Sequence, residues 1–408
     1  MKLFNFQQDV VDKATKYLKG NPYQKPFNIF FEMGLGKTIM AIEILNNLKP
    51  KTVLIVCPKS LITMWEYNLQ KHCTIPFSSS NKQSLLQYPS NNCKIFIVNY
   101  EQLHKIEDLT VDMCILDECQ KIKNTKSKLH KSLANKVTAA WPVCLTGTPI
   151  MKNLMDLFGI LTCINSITTV NNLNETRFKY KYILNGGELS YQSLVDSIRD
   201  YTTFGRLSTY IDMPGYEDIV IPIKLLDHEY ESMQSILHNN KPAFTRATEC
   251  QQITSDSPAK LSMCISLITD LISDDEKVVL FCKYDKEFDY FMEKFKDVCV
   301  GINGKTKDRD TPVYEFQNNK KVKLFIGNLQ TAGVGITLTA ATKCIIYSET
   351  FNWGDMEQAR ARIYRIGQCE FCTYYHLIAI DSVDEVFYEN NINKTDMIED
   401  FKNRFGGI

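Results

Sequence analysis

Phe27-Asn28-Ile29-Phe30-Phe31-Glu32-Met33-Gly34-Leu35-Gly36-Lys37-Thr38 joins an apolar run to a glycine loop and a Lys-Thr pair, and a helical stretch, Ile39 to Leu48, follows. Strand, loop and helix in that order make a phosphate cradle. The glycines let backbone N–H groups close around phosphate oxygens, Lys37 reaches the terminal phosphates, and the Thr38 hydroxyl suits Mg²⁺. A Gly-Lys-Thr triplet alone has many accidental matches; its place between an apolar strand and a helix gives it weight.

Outward from the loop, short apolar runs alternate with longer amphipathic stretches from residue 27 to 150, which predicts a parallel sheet with crossover helices. Strands are expected at Phe27 to Phe31, Thr52 to Val56, Ile95 to Val98, Met113 to Leu116 and Val143 to Leu145. Each ends at a motif that can carry chemistry, where open α/β sheets bind their ligands. Asp117-Glu118 follows its strand directly: Asp117 can hold hydrated Mg²⁺ and Glu118 can polarise an attacking water. An Asp-Glu pair alone is more often a solvated strand end, and the upstream loop reverses that judgement. Leu145-Thr146-Gly147-Thr148-Pro149 puts two hydroxyls at the next strand end, in place to sense the nucleotide.

Far downstream, Gln358, Arg362 and Arg365 are spaced i, i+4, i+7, which on a helix puts all three on one face. A nucleotide-binding protein needs the loop alone; a two-lobed motor must also bring arginines from its second lobe to the nucleotide held by the first. A second alternating series, with strands near Val278 to Phe281, Leu324 to Ile326, Cys344 to Tyr347 and Tyr374 to Ala379, supplies that lobe without a phosphate loop of its own. The polar, Asn- and Thr-rich stretch between the two series reads as a helical accessory and linking region. The resulting division is 1–160, 161–255, 256–380 and a helical brace at 381–408.

The 408 residues exceed one ordinary core and fit two compact domains. With 47 Lys plus Arg against 47 Asp plus Glu, no global positive field advertises a polyanion, so any nucleic-acid surface must be local. No stretch approaches the roughly 20 apolar residues that cross a bilayer, and Met1 to Gln7 lacks a secretory pattern. A soluble, intracellular chain without membrane contact is expected. Its 14 cysteines lie scattered in apolar runs and read as reduced core thiols, and the single Cys369/Cys372 pair as part of a strand rather than a zinc or redox site. Lys121, Lys123, Lys126, Lys128, Lys131 and Lys136 fall in one stretch with no acidic side chain. Such a run is usually a solvated helix face. Placed just after the acidic pair, it becomes a candidate for phosphate contacts that are weakly sequence-dependent and salt-sensitive. Lys320-Lys321-Lys323 reads as a solvated turn.

These residues resemble the superfamily 2 helicase-like ATPases, and among them the SWI/SNF-type DNA translocases, over nearly the whole chain. Leu3-Phe4-Asn5-Phe6-Gln7 is similar to that family's adenine-reading entry motif, implicating Gln7, and Glu32 to Thr38 matches its phosphate loop except that Phe31 stands where Asp is usual. Cys57-Pro58-Lys59-Ser60-Leu61 with Trp65, then Val98-Asn99-Tyr100, resemble its DNA-strand motifs, and Lys123-Asn124 also fits. In the second half Lys260-Leu261, Val279 to Phe281, Gly301 to Gly304 and Gly333-Val334-Gly335-Ile336-Thr337-Leu338 match in turn. The most specific match is Gln358-Ala359-Arg360-Ala361-Arg362-Ile363-Tyr364-Arg365-Ile366-Gly367-Gln368. Departures are Cys119-Gln120 in place of a small residue plus His, Phe351-Asn352-Trp353 in place of Trp-Asn-Pro, and Thr337 in place of Asn. They put the coupling of hydrolysis to movement in doubt more than the ATPase, and point to a divergent, pared-down member of viral, phage or prokaryotic type.

The resemblance implies two tandem RecA-like α/β lobes, each a mostly parallel sheet with helices on both faces, with ATP in the inter-lobe cleft. It implies ATP and Mg²⁺ as cofactors and double-stranded DNA as partner. Lys37, Asp117, Glu118, Arg362 and Arg365 are then the catalytic set; Gln7, Gly34, Gly36, Lys37, Thr38, Gly335 and Gln358 hold the nucleotide; Thr38 and Asp117 hold Mg²⁺; Gln120, Thr146 and Thr148 couple. Lys59, Ser60, Asn99, Tyr100, Lys123, Asn124, Lys283, Thr331 and Trp353 are the expected nucleic-acid contacts. A monomer recruited by a protein of unknown identity is expected. A strand-separating helicase on DNA or RNA and a non-catalytic DNA clamp are the competing readings; the arginine segment argues against a metabolic phosphoryl transferase.

Overall fold

The computed structural model describes residues 3–83, 91–151, 153–185, 188–329 and 336–393, and the chain divides into two compact units, 1–211 with 397–408, and 212–396. In the described part of the first unit, seven strands form one sheet: β1 (Phe27–Phe31), β2 (Thr52–Cys57), β3 (Phe77–Ser80), β4 (Cys93–Asn99), β5 (Leu109–Asp117), β6 (Val137–Leu145) and β7 (Thr202–Gly205). Their order is β3-β4-β2-β5-β6-β1-β7 and every pairing is parallel. All five residues of β1 are buried, as expected of a strand covered on both faces. Each such apolar side chain contributes about 1.5–3 kcal/mol of burial, which anchors the start of the phosphate loop.

The register brings the motifs together. Asp117 at the end of β5 pairs with Leu145 at the end of β6, and Leu145 pairs with Ile29 of β1. The acidic pair, Thr146 to Thr148 and the phosphate loop therefore leave the sheet side by side at its carboxyl edge. The strands expected from sequence are all present, most of them longer by a few residues.

The second unit carries β8 (Tyr216–Ile223), β9 (Val278–Cys282), β10 (Cys299–Ile302), β11 (Leu324–Asn328), β12 (Lys343–Ile346) and β13 (Cys372–Ala379), in the parallel order β10-β11-β9-β12-β13-β8. Buried residues of β9, β11 and β12 with the helices at Pro258–Ser273 and Trp353–Ile363 fill two of its core clusters. The stretch read from sequence as accessory and linking contains helices but also an outer strand of each sheet, β7 and β8. Both are polar or alternating, because an outer strand is covered on fewer sides than a central one.

Phe31 is explained by its surroundings. Its ring lies nearly parallel to those of Tyr210 and Phe6, with centroids 5.9 and 6.2 Å away, and Phe6 stacks on Tyr210 at 4.3 Å. A carboxylate in that apolar stack would be costly. The 14 cysteines carry free thiols, all buried or half-buried except Cys369. Among the described residues no helix is long and apolar enough to cross a membrane.

Candidate functional site

The loop after β1 is shaped by left-handed backbone at Gly34 (φ 89°) and Gly36 (φ 78°). At Gly36 a Cβ would also lie 2.5 Å from Nε2 of Gln7, so both conformation and space require glycine there. Gln7 is buried; its Nε2 donates to the Leu35 carbonyl at 3.0 Å and its Oε1 accepts from the Phe4 N–H at 3.1 Å. The entry motif is thus fastened directly to the phosphate loop. Lys37 opens the helix Lys37–Leu48, and its Nζ donates to the carbonyls of Phe31 (2.7 Å) and Glu32 (3.2 Å). Half-buried Thr38 follows in the first turn. Gly36 caps that helix without a side-chain acceptor, so the first-turn N–H groups face the loop. Glu32 acts as a clasp: its N–H donates to Gly205 O and its Oε2 accepts from the Leu207 N–H, both at 2.9 Å.

Asp117 is buried and held on three sides. Its Oδ2 accepts from Trp65 Nε1 (2.9 Å), its Oδ1 from the Glu118 N–H (3.0 Å), and its carbonyl from the Tyr100 hydroxyl (2.7 Å). Burial and then the adjacent Glu118 charge push its carboxyl up to about 7, against the pull of Trp65 and Lys37. Glu118 sits in left-handed backbone (φ 52°, ψ 49°) and its Oε2 accepts from Gln120 Nε2 at 2.7 Å. Left-handed backbone at a non-glycine residue is a strained conformation, of the kind that clusters at functional sites. Thr146 Oγ1 accepts from the Thr148 N–H at 2.9 Å. Gln120 Oε1 and Thr148 Oγ1 are buried without a hydrogen-bond partner among the described residues. Buried orphan groups are costly.

An all-oxygen set of two carboxylates and hydroxyls suits a hard divalent cation. In donor chemistry, the Thr38 hydroxyl and Asp117 carboxylate fit Mg²⁺.

The expected nucleic-acid contacts of this unit divide sharply. Lys59 and Ser60 are exposed in the turn Lys59–Leu61 that follows β2. Asn99 is buried and accepts from the Gln102 N–H at 3.0 Å, capping a short helical turn. Tyr100, expected on the tracking path, is fully buried beneath Asp117 and supports the acidic pair instead. Lys123 is held by Asp156 at 3.3 Å, and the same carboxylate oxygen accepts from the Met151 N–H at 2.8 Å. Asn124 is exposed and caps a turn through the Lys126 N–H. Lys126, Lys128 and Lys131 are exposed, whereas Lys136 donates to the carbonyls of His104 and Ile106.

In the second unit the helix carrying the arginines spans Trp353–Ile363. Gln358 and Arg362 lie on it; Arg365, expected on the same face, falls in the turn beyond its end. That turn is closed by the Gln368 N–H donating to Arg365 O at 2.9 Å and by Gly367 at φ 101°. The two arginines still converge: Arg362 Nη1 (3.3 Å) and Arg365 Nη1 (3.0 Å) both donate to Ile336 O, and Arg362 Nε donates to Gln358 O at 2.9 Å. Arg362 is buried, and burial lowers Arg365 from its ordinary value. Gln368 Nε2 donates to Thr339 O (3.3 Å) and Ala341 O (2.9 Å), tying the same turn to the segment that follows Ile336. Gly335 and Thr331 lie outside the described residues. Trp353 is buried at the start of the arginine helix. Lys283 donates to Gln251 Oε1 and lies over the rings of Tyr284 and Phe387, and burial lowers its ordinary value. Trp65 and Tyr100 as supports of Asp117, and Asp156 as the partner of Lys123, are roles that sequence reasoning missed. Of these, Trp65 and Tyr100 lay in quoted motifs and Asp156 did not.

Each sheet, with its motifs at the carboxyl edge, has the architecture of a helicase-like ATPase lobe. Residues 28–270 match the SNF2-related domain and residues 259–367 the helicase conserved C-terminal domain. The chain belongs to the SNF2-related family. It is 26% identical to an uncharacterized ATP-dependent helicase of Mycoplasma pneumoniae, over 97% of this chain and 42% of that protein. It is 23% identical to the DNA repair and recombination protein RDH54 of Saccharomyces cerevisiae, over 91% of this chain and 50% of that protein. The chain thus spans half or less of these curated relatives. The SWI2/SNF2 ATPase core of Sulfolobus solfataricus in complex with dsDNA is similar at 21% identity and TM-score 0.48, covering 98% of this chain and 92% of that one.

Proposed function

We propose that the chain is an ATP-dependent double-stranded DNA translocase that couples ATP hydrolysis to movement on DNA and to remodelling of DNA or protein–DNA complexes. The observation that carries this reading is the pairing of a complete loop and acidic pair in one unit with two arginines sharing one acceptor in the other. A lone nucleotide-binding domain has no use for the second feature.

Gln7 and the loop at Gly34 and Gly36 hold ATP, and Lys37 exchanges its two loop carbonyls for the terminal phosphates. Thr38 and Asp117 would hold Mg²⁺, which would neutralise phosphate charge. Glu118, steered by Gln120, takes the proton of the attacking water. The orphan oxygen of Gln120 and hydroxyl of Thr148 report the γ-phosphate to the segments that follow them. In the closed state Arg362 and Arg365 leave Ile336 O for the transferring phosphoryl group. Arginine stabilisation of this kind is worth about 10³–10⁵ in rate, so Arg365→Ala nearly abolishes turnover with ATP binding retained, read by single-turnover hydrolysis beside nucleotide titration. Opening after hydrolysis advances a chain that grips one duplex with both units.

Steady-state hydrolysis with no nucleic acid, duplex DNA, single-stranded DNA or RNA tests the reading. Strong duplex stimulation together with displacement of a triplex strand supports it. Opening of a forked duplex without triplex displacement establishes a strand-separating helicase instead. Duplex binding with no hydrolysis establishes a clamp.

A further inference from the structure

Two residues before Arg362, the same helix carries an arginine with a different environment. Arg360 lies against the rings of Tyr216 on β8 and Tyr374 on β13, its guanidinium 4.8 and 5.1 Å from their centroids. Its Nη2 donates to Asp218 Oδ1 at 2.8 Å, and the Tyr374 hydroxyl donates back to Arg360 O at 3.0 Å. Asp218 Oδ1 meets His376 Nε2 at 3.0 Å, and His376 Nδ1 meets Glu349 Oε1 at 2.5 Å. Glu349 accepts in turn from Asn391 on the helical segment 383–393, and its carbonyl accepts from Gln251 Nε2 at 2.7 Å. His376 is 3% and Glu349 1% exposed.

Both ring nitrogens of His376 face carboxylate oxygens, which only accept. With both carboxylates ionised, both nitrogens donate and the ring is an imidazolium. We propose that His376 and Arg360 are positioning residues for the ATPase: with Asp218 and Glu349 they form a chain of alternating charge, buried at its His376–Glu349 end, that fixes the roll of the arginine helix and holds Arg362 and Arg365 at their shared acceptor. The proposal rests on the ATPase reading above.

The geometry supports this division of labour. Successive helix residues turn by about 100°, so Arg360 and Arg362 point to nearly opposite sides. One fastens the helix to β8 and β13 while the other turns toward Ile336. A helix pinned by a planar guanidinium against two rings has little freedom to roll, so Arg362 and Arg365 start each closure from one fixed orientation. Of the charged or titratable groups around His376, the two carboxylates in contact with it favour a protonated ring. Asp218 comes from β8, Glu349 from the segment after β12, and Tyr388, 5.0 Å ring to ring, from 383–393. Arg360 and Glu357 of the arginine helix and Lys283 act at longer range through Asp218 and Glu349. Burial alone would lower the imidazole; the two carboxylates outweigh it and raise it to about 9.

The sign follows. His376 binds its proton more tightly in the folded chain than at the ordinary value of 6.5, so its contribution is complete below that pH and is lost as pH rises through about 9. Loss of the proton leaves two carboxylates facing a neutral ring and releases the helix.

Histidine-labelled protein followed by NMR against pH is the direct test. Of six histidines, one is expected to titrate near 9, and that signal should vanish in His376→Gln. If no histidine titrates above the ordinary range, the proposal is overturned, whatever the protein hydrolyses. The kinetic arm uses duplex-saturated hydrolysis. His376→Gln should lower kcat by about tenfold to a hundredfold while affinity for a fluorescent ATP analogue stays within about twofold. The wild-type kcat profile should fall along the NMR titration and the variant should lack that limb. Unchanged kcat per folded molecule with only a lowered Tm would show ordinary core packing and sink the positioning role. A wild-type protein that hydrolyses no ATP refutes the functional reading while the NMR arm still decides the state of the ring.

Discussion

Asp117 holds its proton longer than a carboxyl in water because it is buried and has Glu118 beside it. The unfolded chain releases that proton near 3.8 and the folded chain near 7, so between these values folding takes up a proton and the stability this group contributes falls as pH rises. Glu118→Gln removes the neighbouring charge while keeping an acceptor for Gln120 Nε2. Hydrolysis should fall by about 10²–10⁴ with loss of the base, ATP binding should remain, and Tm at pH 8 should rise relative to wild type. Calorimetry beside a turnover assay checks both parts. Normal turnover would remove Glu118 from its role, and a lower Tm would show that the strained backbone, not the charge, dominates at this position.

Among the elements, the helix Leu154–Leu161 packs unusually close to the segment that carries Lys123. A Cβ on Gly159 would lie 1.8 Å from Lys123 O, and His130 Nε2 is 3.1 Å from Gly159 O. Gly159→Ala must push the two apart, and overpacking of this kind costs about 1–3 kcal/mol or more. A drop in Tm by differential scanning fluorimetry is the expected outcome; an unchanged Tm would mean that the Lys123 segment yields freely. The same contact revises which lysines belong to a phosphate-binding surface. Lys123 faces Asp156, so Glu at 123 would set two carboxylates together and destabilise the helix packing. Lys126, Lys128 and Lys131 are exposed on and before the helix Lys128–Lys136. Converting these three to Glu should weaken duplex binding and flatten the slope of log affinity against log salt by up to about 0.9 per lost phosphate contact, with basal hydrolysis retained. An unchanged slope identifies the run as a solvated face.

For the whole chain, the proposed cycle requires that nucleotide and duplex favour the same closed state. A nonhydrolysable ATP analogue should then tighten duplex binding, and duplex should tighten analogue binding by the same factor, because coupling free energy is reciprocal. Fluorescence titrations in both orders measure it; a factor of one in each order leaves two units that do not communicate. Much of this molecule was legible before its structure. The central strands are apolar along their whole length because both faces are covered, and the loop, acidic pair and Thr146–Thr148 lie at strand ends because open parallel sheets place ligands there. Other features depended on partners distant in sequence. Phe31 finds Tyr210, Lys123 finds Asp156, and Tyr100 turns inward beneath Asp117 rather than out toward a polyanion. Arg365 left the helix that its spacing predicted, yet it rejoins Arg362 at Ile336 O. Local pattern thus determined the strands, the chemistry of the motifs and their order along the chain. Tertiary structure decided which of those side chains are free to act, since the direction of a lysine, tyrosine or arginine is set by the carboxylate, ring or carbonyl that folding brings within reach.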